Sequence, residues 1–407
     1  MLLRHALAPN TIPGIPTSES WGHLFASQQV GRWLTGTTAI GHADLLAWPH
    51  EQLFWPTNPV VQLLQAPLSL LFGAPVALIA VTWALLFLAG WGPFWLARGL
   101  GATRWCAWIG GFAVQASPFL VRNFQDMILE MGAIGVLAIA GRLCWMSRAQ
   151  PKGAMIWPAL AVGLLAGTSP YYAIFLAMAL VPLALSTHHL WRHWLRLGLG
   201  CGFASLLVAF PLVSIETGAD GRLGPEYQQQ GYQLIPSPLV VVEEITDGSL
   251  TTAKWGWTDV PRQRMERPGP SASHPKKRHP VFDRLMRFPG GATILLGCLI
   301  ALCRRESRRL AIFSLVLFCF GPGPWLLLRE CGWVRGPPQS LIQIVLNTND
   351  ITGALGNPTR FFAPYIVMGA ATLSLAISSF STRYAKTGLL GSFLAICFIV
   401  LELGLVV

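Results

Sequence analysis

The sequence predicts an all-α fold: a polytopic membrane helix bundle of roughly ten spans, with extracytoplasmic loops and interfacial helices. Three observations predict it. The 407 residues are 53% hydrophobic and only 12% charged, with a mean hydropathy of +0.50, whereas a soluble domain carries about 25% charged residues. Apolar runs that cross or nearly cross a bilayer recur along the chain. The basic residues between those runs fall on alternate connections.

The net charge of +11 would suggest nucleic acid in a soluble protein. Here the basic residues sit in short loops between apolar runs, without the motifs of a nucleic-acid binder, so no nucleic-acid partner is expected. The eight cysteines show no CxxC or Cys/His spacing, which argues against a disulfide framework and a zinc site. Cys106, Cys144, Cys201, Cys298, Cys303, Cys319 and Cys397 read as small core residues.

In chain order, residues 1–74 form an extracytoplasmic first segment with amphipathic helices, and 75–216 an N-terminal transmembrane bundle. Residues 217–289 form an extracytoplasmic loop, and 290–407 the C-terminal transmembrane helices with an outer loop at 329–358. The spans lie near 75–98, 104–120, 126–146, 154–168, 170–187, 192–215, 290–303, 308–328, 359–380 and 387–407. Ser169-Pro170 breaks one apolar stretch into a tight hairpin. Arg98 and Arg104, Arg148 and Lys152, Arg192 and Arg196, Arg304 to Arg309, and Arg383 and Lys386 lie on alternate connections, hence on one side. The positive-inside rule makes that side cytoplasmic and every sizeable polar segment extracytoplasmic. The amphiphilic start and the end at Val407 carry a further expectation, that a first helix and an outer C-terminal domain are missing.

Polar chemistry gathers in three outer segments. The first holds Glu19, His23, His42, Asp44, His50 and Glu51, interleaved with Trp21, Trp33, Trp48 and Trp55. Acids and histidines supply general bases or metal ligands. Tryptophans supply stacking faces or interface anchors. Glu19 is also placed to favour a helix N-terminus, with His23 four residues on along the same face. The second is the Ser117–Asp126 turn, where Arg122 and Glu130 stand near the membrane and ionisable groups are costly; they also suit a structural pair. Arg142, near the inner end of that span, is expected to snorkel. The third is Asn357-Pro358-Thr359-Arg360-Phe361, whose Arg suits a phosphate contact or an interfacial anchor. No nucleotide-loop, HExxH or nucleophile-elbow motif is present.

Taken in order, these segments resemble the GT-C class of membrane glycosyltransferases. The resemblance rests on Glu19-Ser20-Trp21-Gly22-His23, Trp48-Pro49, Trp55-Pro56-Thr57-Asn58-Pro59, Leu96 to Gly101, Ser117-Pro118-Phe119, Thr168 to Tyr172, and Pro358-Thr359-Arg360-Phe361. It implies an enzyme that takes a sugar from a polyprenyl-phosphate donor and passes it to a cell-envelope acceptor at the outer face, in a bacterial inner membrane. It implies catalytic roles for Glu19, His23 and Asp44, and substrate contacts for Trp21, Trp48, Arg122, Glu130, Tyr171 and Arg360. Glu19 stands where relatives often carry Asp, one methylene shorter, and Arg122 and Asn123 stand where relatives often carry His. The residues define no metal set; a divalent cation, Mg²⁺ or Mn²⁺, would enter as the companion of the acid that the resemblance implies. The implied partners are the lipid-linked donor and membrane lipids. Two rival classes are a transporter or flippase for a lipid-linked substrate and a non-catalytic subunit among partners in a membrane complex. Polar residues gathered at one face favour outer-face chemistry over a path through the spans.

Overall fold

The computed structural model describes residues 20–40, 42–43, 52–53, 58–123, 128–149, 155–186, 190–219, 291–305, 307–321, 323–324, 328, 362–383 and 385–406. The helices are α1 (Ser20–Leu34), α2 (Pro59–Phe72), α3 (Ala74–Gly99), α4 (Arg104–Gln115), α5 (Pro118–Asn123), α6 (Ile128–Met146), α7 (Ile156–Thr168), α8 (Pro170–Ser186), α9 (Trp191–Ala219), α10 (Ala292–Leu302), α11 (Arg308–Phe320), α12 (Phe362–Arg383) and α13 (Ala385–Val406). Two two-residue strands, His42–Ala43 and Gln52–Leu53, pair antiparallel between α1 and α2.

Local chemistry accounts for the breaks. Pro59 and Pro75 occupy first-turn positions, where the missing N–H costs nothing. Gly73, at φ 86°, takes the left-handed turn between α2 and α3. The expected span 104–120 is two helices, because Pro118 has no N–H to continue the ladder and Ser117 caps the new start by accepting from the Leu120 N–H at 3.3 Å.

Small residues let the long helices touch. A Cβ on Gly92 would collide with the Gly135 carbonyl, and one on Gly135 with the Leu88 carbonyl. That backbone approach packs α3 directly on α6, the small-residue mode of helices that lack a hydrophobic drive toward each other in lipid. Gly99 leaves room for Arg142, whose guanidinium lies over the Trp95 ring at 4.4 Å.

Contacts across the bundle set relative directions. Leu85 meets Gly132 and Gly99 meets Arg142, so α3 and α6 run parallel. Phe94 meets Trp108 while Gln115 donates to the Leu86 carbonyl, so α4 opposes α3; Thr103 N–H donates to Ser378 Oγ at 3.1 Å while Gly110 meets Ala370, so α12 opposes α4. Gly163 meets Ala204 and Gly167 meets Val208, so α7 and α9 run parallel. Ser314 and Thr372 share a hydrogen bond at 3.0 Å while Phe318 meets Tyr365, so α11 opposes α12. These directions are the ones the alternating basic connections require.

Among the described residues, two helices are long and apolar enough to cross a membrane, Ala74–Gly99 and Phe362–Ser381. Pro59–Phe72, Ile156–Thr168, Pro170–Val181, Ala292–Leu302 and Gly388–Glu402 are apolar but shorter. The buried core includes Phe119, Ile134, Tyr172, Phe175, Phe362 and Tyr365. The exterior is apolar as well: Leu199, Phe203, Leu206 and Leu207 on α9 and Leu389, Leu390 and Phe393 on α13 are all exposed. Contiguous apolar exterior of this kind marks a surface that meets lipid rather than water, and it associates the chain with a membrane.

The cysteines divide. Cys106, Cys144 and Cys298 are buried, as a core role requires, but Cys303 and Cys397 are exposed. Cys303 follows the last residue of α10, at the connection, and Cys397 faces outward from α13, so neither packs as core.

Candidate functional site

Helix α2 is built inside out. Its leucines point outward, with Leu63, Leu64, Leu70, Leu71 and Phe72 all exposed, while Gln62 and Gln65 are buried at 1% and 0% exposure. Asn58, just before the helix, is buried too. Positions 58, 62 and 65 are spaced by four and three residues, so the three amides share one helix face. A water-soluble helix would reverse this arrangement, whereas a lipid-facing one shows apolar side chains outward and keeps polar ones for protein contacts.

The amide face meets two other segments. Asn58 Nδ2 donates to the Thr168 carbonyl at 2.6 Å, satisfying a carbonyl in the last turn of α7. Gln62 Nε2 and His23 Nδ1, from α1, approach to 3.3 Å. Burial drives the His23 pKa down to about 4, so the ring is neutral at physiological pH. Neither amide atom of Gln65, nor Ser169 Oγ, has a hydrogen-bond partner among the described residues. Buried polar groups in that state carry a desolvation cost.

A second junction lies at Phe119 of the Ser-Pro-aromatic turn. Its ring meets Phe362 edge-on at 6.3 Å, which brings that turn against the start of α12, directly after the segment bearing Arg360. Phe318 of α11 and Tyr365 of α12 complete the aromatic set, 5.0 Å apart.

Of the residues to which the resemblance gives catalytic or substrate-binding roles, His23 and Tyr171 have described side chains. His23 lies in the amide cluster; Tyr171 lies in the first turn of α8, half-buried and packed against the main core. Trp21 sits in the first turn of α1, Arg122 in α5, and Glu130 in the first turn of α6, as backbone placements only. Glu19, Asp44, Trp48 and Arg360 lie outside the described residues. Among the described residues no three His, Cys, Asp or Glu side chains are grouped to hold a metal ion. The acids that would serve, Glu19 and Asp44, fall outside that set.

Gln62 and Gln65 escaped the sequence reading. Their signal was available, since two amides at helical spacing interrupt an otherwise apolar run. Glu402 escaped too. It is buried, and its Oε1 accepts the Thr293 N–H at 2.6 Å, so it caps α10 from the far end of the chain.

No family model matches the chain, and no curated protein matches it. Among solved structures the chain is similar to the archaeal oligosaccharyltransferase AglB from Archaeoglobus fulgidus, in complex with an inhibitory peptide and a dolichol-phosphate, with a TM-score of 0.43 and 14% identity. The match covers 98% of this chain and 52% of that one, so the chain spans about half the length of the structure it resembles.

Proposed function

We propose that the chain is a multi-pass membrane glycosyltransferase of GT-C type, which moves a sugar from a polyprenyl-phosphate donor to a cell-envelope acceptor on the outer face. One observation carries the reading. The Asn58–Thr168 hydrogen bond joins two of the segments behind the resemblance, 110 residues apart, and His23, from a third, bonds one turn along the same helix face. Separate polar segments meeting at one end of an apolar bundle is the layout outer-face transfer needs.

The multi-pass reading is supported by the two membrane-length helices, the apolar exterior and the alternation of basic connections with helix direction. Polar side chains within the bundle bond to protein. Gln115 of α4 donates to the Leu86 carbonyl of α3, and Ser314 of α11 shares a hydrogen bond with Thr372 of α12, which is the use of polar groups as helix glue and not as a transport path.

In the proposed reaction the acceptor hydroxyl oxygen attacks the anomeric carbon of the donor sugar. The bond from that carbon to the phosphate oxygen breaks, and the polyprenyl phosphate leaves with the electron pair. Glu19 takes the hydroxyl proton, and Arg360 and Arg122 offset the charge growing on the phosphate. Trp21 and Trp48 offer stacking faces for sugar rings.

The test is transfer by the purified chain from polyprenyl-phosphate sugars, read as released polyprenyl phosphate with and without Mg²⁺ or Mn²⁺. Glu19→Gln is expected to lower the rate by about 100-fold or more, the usual worth of a positioned base. No release from any donor, together with a stoichiometric partner retained from native membrane, would point to the non-catalytic subunit. Donor crossing a vesicle membrane without release would point to a flippase.

A further inference from the structure

A cavity of about 890 Å³ lies among α3, α6, α8, α11 and α12, apart from the amide cluster. That is near the top of the roughly 300–1,000 Å³ typical of small-molecule sites. Its wall is aliphatic, with Leu137, Leu176, Leu180, Val367 and Met368 among the lining side chains. On α11 its lining includes Ile312 and Val316, both exposed at the flank of the bundle, which places part of its wall where lipid meets the protein.

One end differs from the rest. Arg148 follows the last turn of α6 and Arg309 stands in the first turn of α11, and helix directions put both at the end bearing the basic connections. No acid lines the cavity among the described residues. Arg148 is held in place: its guanidinium sits 3.2 Å from the centre of the Trp145 ring, and its Nε donates to the Trp145 carbonyl at 2.8 Å. Trp145 also lines the cavity, and tryptophan beside arginine is the composition of a membrane interface. Along α6 and the 3₁₀ turn that follows it the lining runs from Leu137 to Arg148, about 16 Å at the helical rise. That matches half of a hydrocarbon core about 30 Å thick, the depth of one leaflet.

We propose that this cavity binds an anionic phospholipid of the cytoplasmic leaflet. The phosphate lies between Arg148 and Arg309, and the acyl chains lie along the aliphatic wall. The cationic end supplies charge complementarity and the depth fits a leaflet. The exposed Ile312 and Val316 in its wall bring it to the bilayer-facing flank. A polyprenyl phosphate shares the phosphate, but its tail is far longer than the cavity. The proposal rests on the membrane part of the reading above and is independent of sugar transfer.

The experiment reconstitutes the full chain into phosphatidylcholine vesicles, with flotation as the check on insertion. Phosphatidylglycerol and phosphatidylcholine with the same chains are then titrated against the detergent-purified protein, and bound lipid is counted by native mass spectrometry. Phosphatidylglycerol is expected to bind more than tenfold tighter. Arg148→Gln and Arg309→Gln are each expected to weaken it about fivefold, the worth of one basic residue at a lipid surface. Arg305→Gln, on the same connection but outside the cavity, leaves binding unchanged. Leu180→Trp fills the wall and lowers binding with the charges intact. Variants are compared only where flotation and the unfolding temperature in phosphatidylcholine match the parent protein. Equal binding of the two lipids, an Arg305→Gln effect as large as the others, or preferential retention of polyprenyl phosphate would overturn the proposal. Failure to float would instead overturn the membrane reading itself.

Discussion

His23 shows how burial sets a residue's behaviour. Its ring is 7% exposed, and burial lowers its pKa from 6.5 to about 4. In the unfolded chain the ring takes a proton near pH 6.5, so between that pH and 4 the unfolded state binds more protons and stability falls as pH falls. Unfolding in detergent should therefore lose up to about 3 kcal/mol across that window. His23→Gln, which cannot titrate, should flatten the profile; an unchanged slope would assign the acid sensitivity to other groups. Glu402 makes the complementary case at the far end of the chain. Its bond to the Thr293 N–H joins α13 to the start of α10. Glu402→Ala should cost about 2 kcal/mol, because it orphans a buried N–H. Glu402→Gln keeps an oxygen acceptor and should cost less. Thermal unfolding of the two variants side by side distinguishes capping from simple loss of bulk.

At the scale of elements, the α3–α6 pair depends on the absence of side chains at its contact. Gly135→Val should destabilise by about 1–3 kcal/mol or more, since the new carbons meet the Leu88 carbonyl and not a side chain that can turn away. Gly198→Ala offers the contrast. No atom lies within 4 Å of its added Cβ, so the gain in helix propensity, up to about 1 kcal/mol, should appear as a small stabilisation. If the two variants unfold alike, backbone contact is not what holds α3 to α6. Helix α2 is the other element whose packing is informative. Its outward leucines and inward amides are stable together only where the outer surface is apolar.

For the whole molecule, helix directions and basic connections make one prediction about sidedness. Cys303 is exposed at the end of α10, beside the Arg304–Arg309 run. In oriented membrane vesicles of a Cys331→Ser variant, which removes the thiol of the outer loop, a membrane-impermeant thiol reagent should label Cys303 from the cytoplasmic side only. Labelling from the opposite side would invert the topology, and with it the assignment of Glu19, Asp44 and Arg360 to the outer face.

The sequence alone determined the helical class, the apolar exterior and the alternation of basic connections, because composition and hydropathy act over one or two turns and need no partner. It also marked His23 and the Thr168–Tyr172 hairpin as chemically notable. The break of 104–120 at Pro118 is local chemistry, whereas the amide face of α2, the Glu402 cap on α10 and the arginine-ended cavity were decided by tertiary structure. Each depends on which distant segment packs alongside, as Asn58 does with Thr168 and Glu402 with Thr293. Local periodicity carries no information about a partner a hundred residues away, whereas helix packing brings such pairs within hydrogen-bond reach.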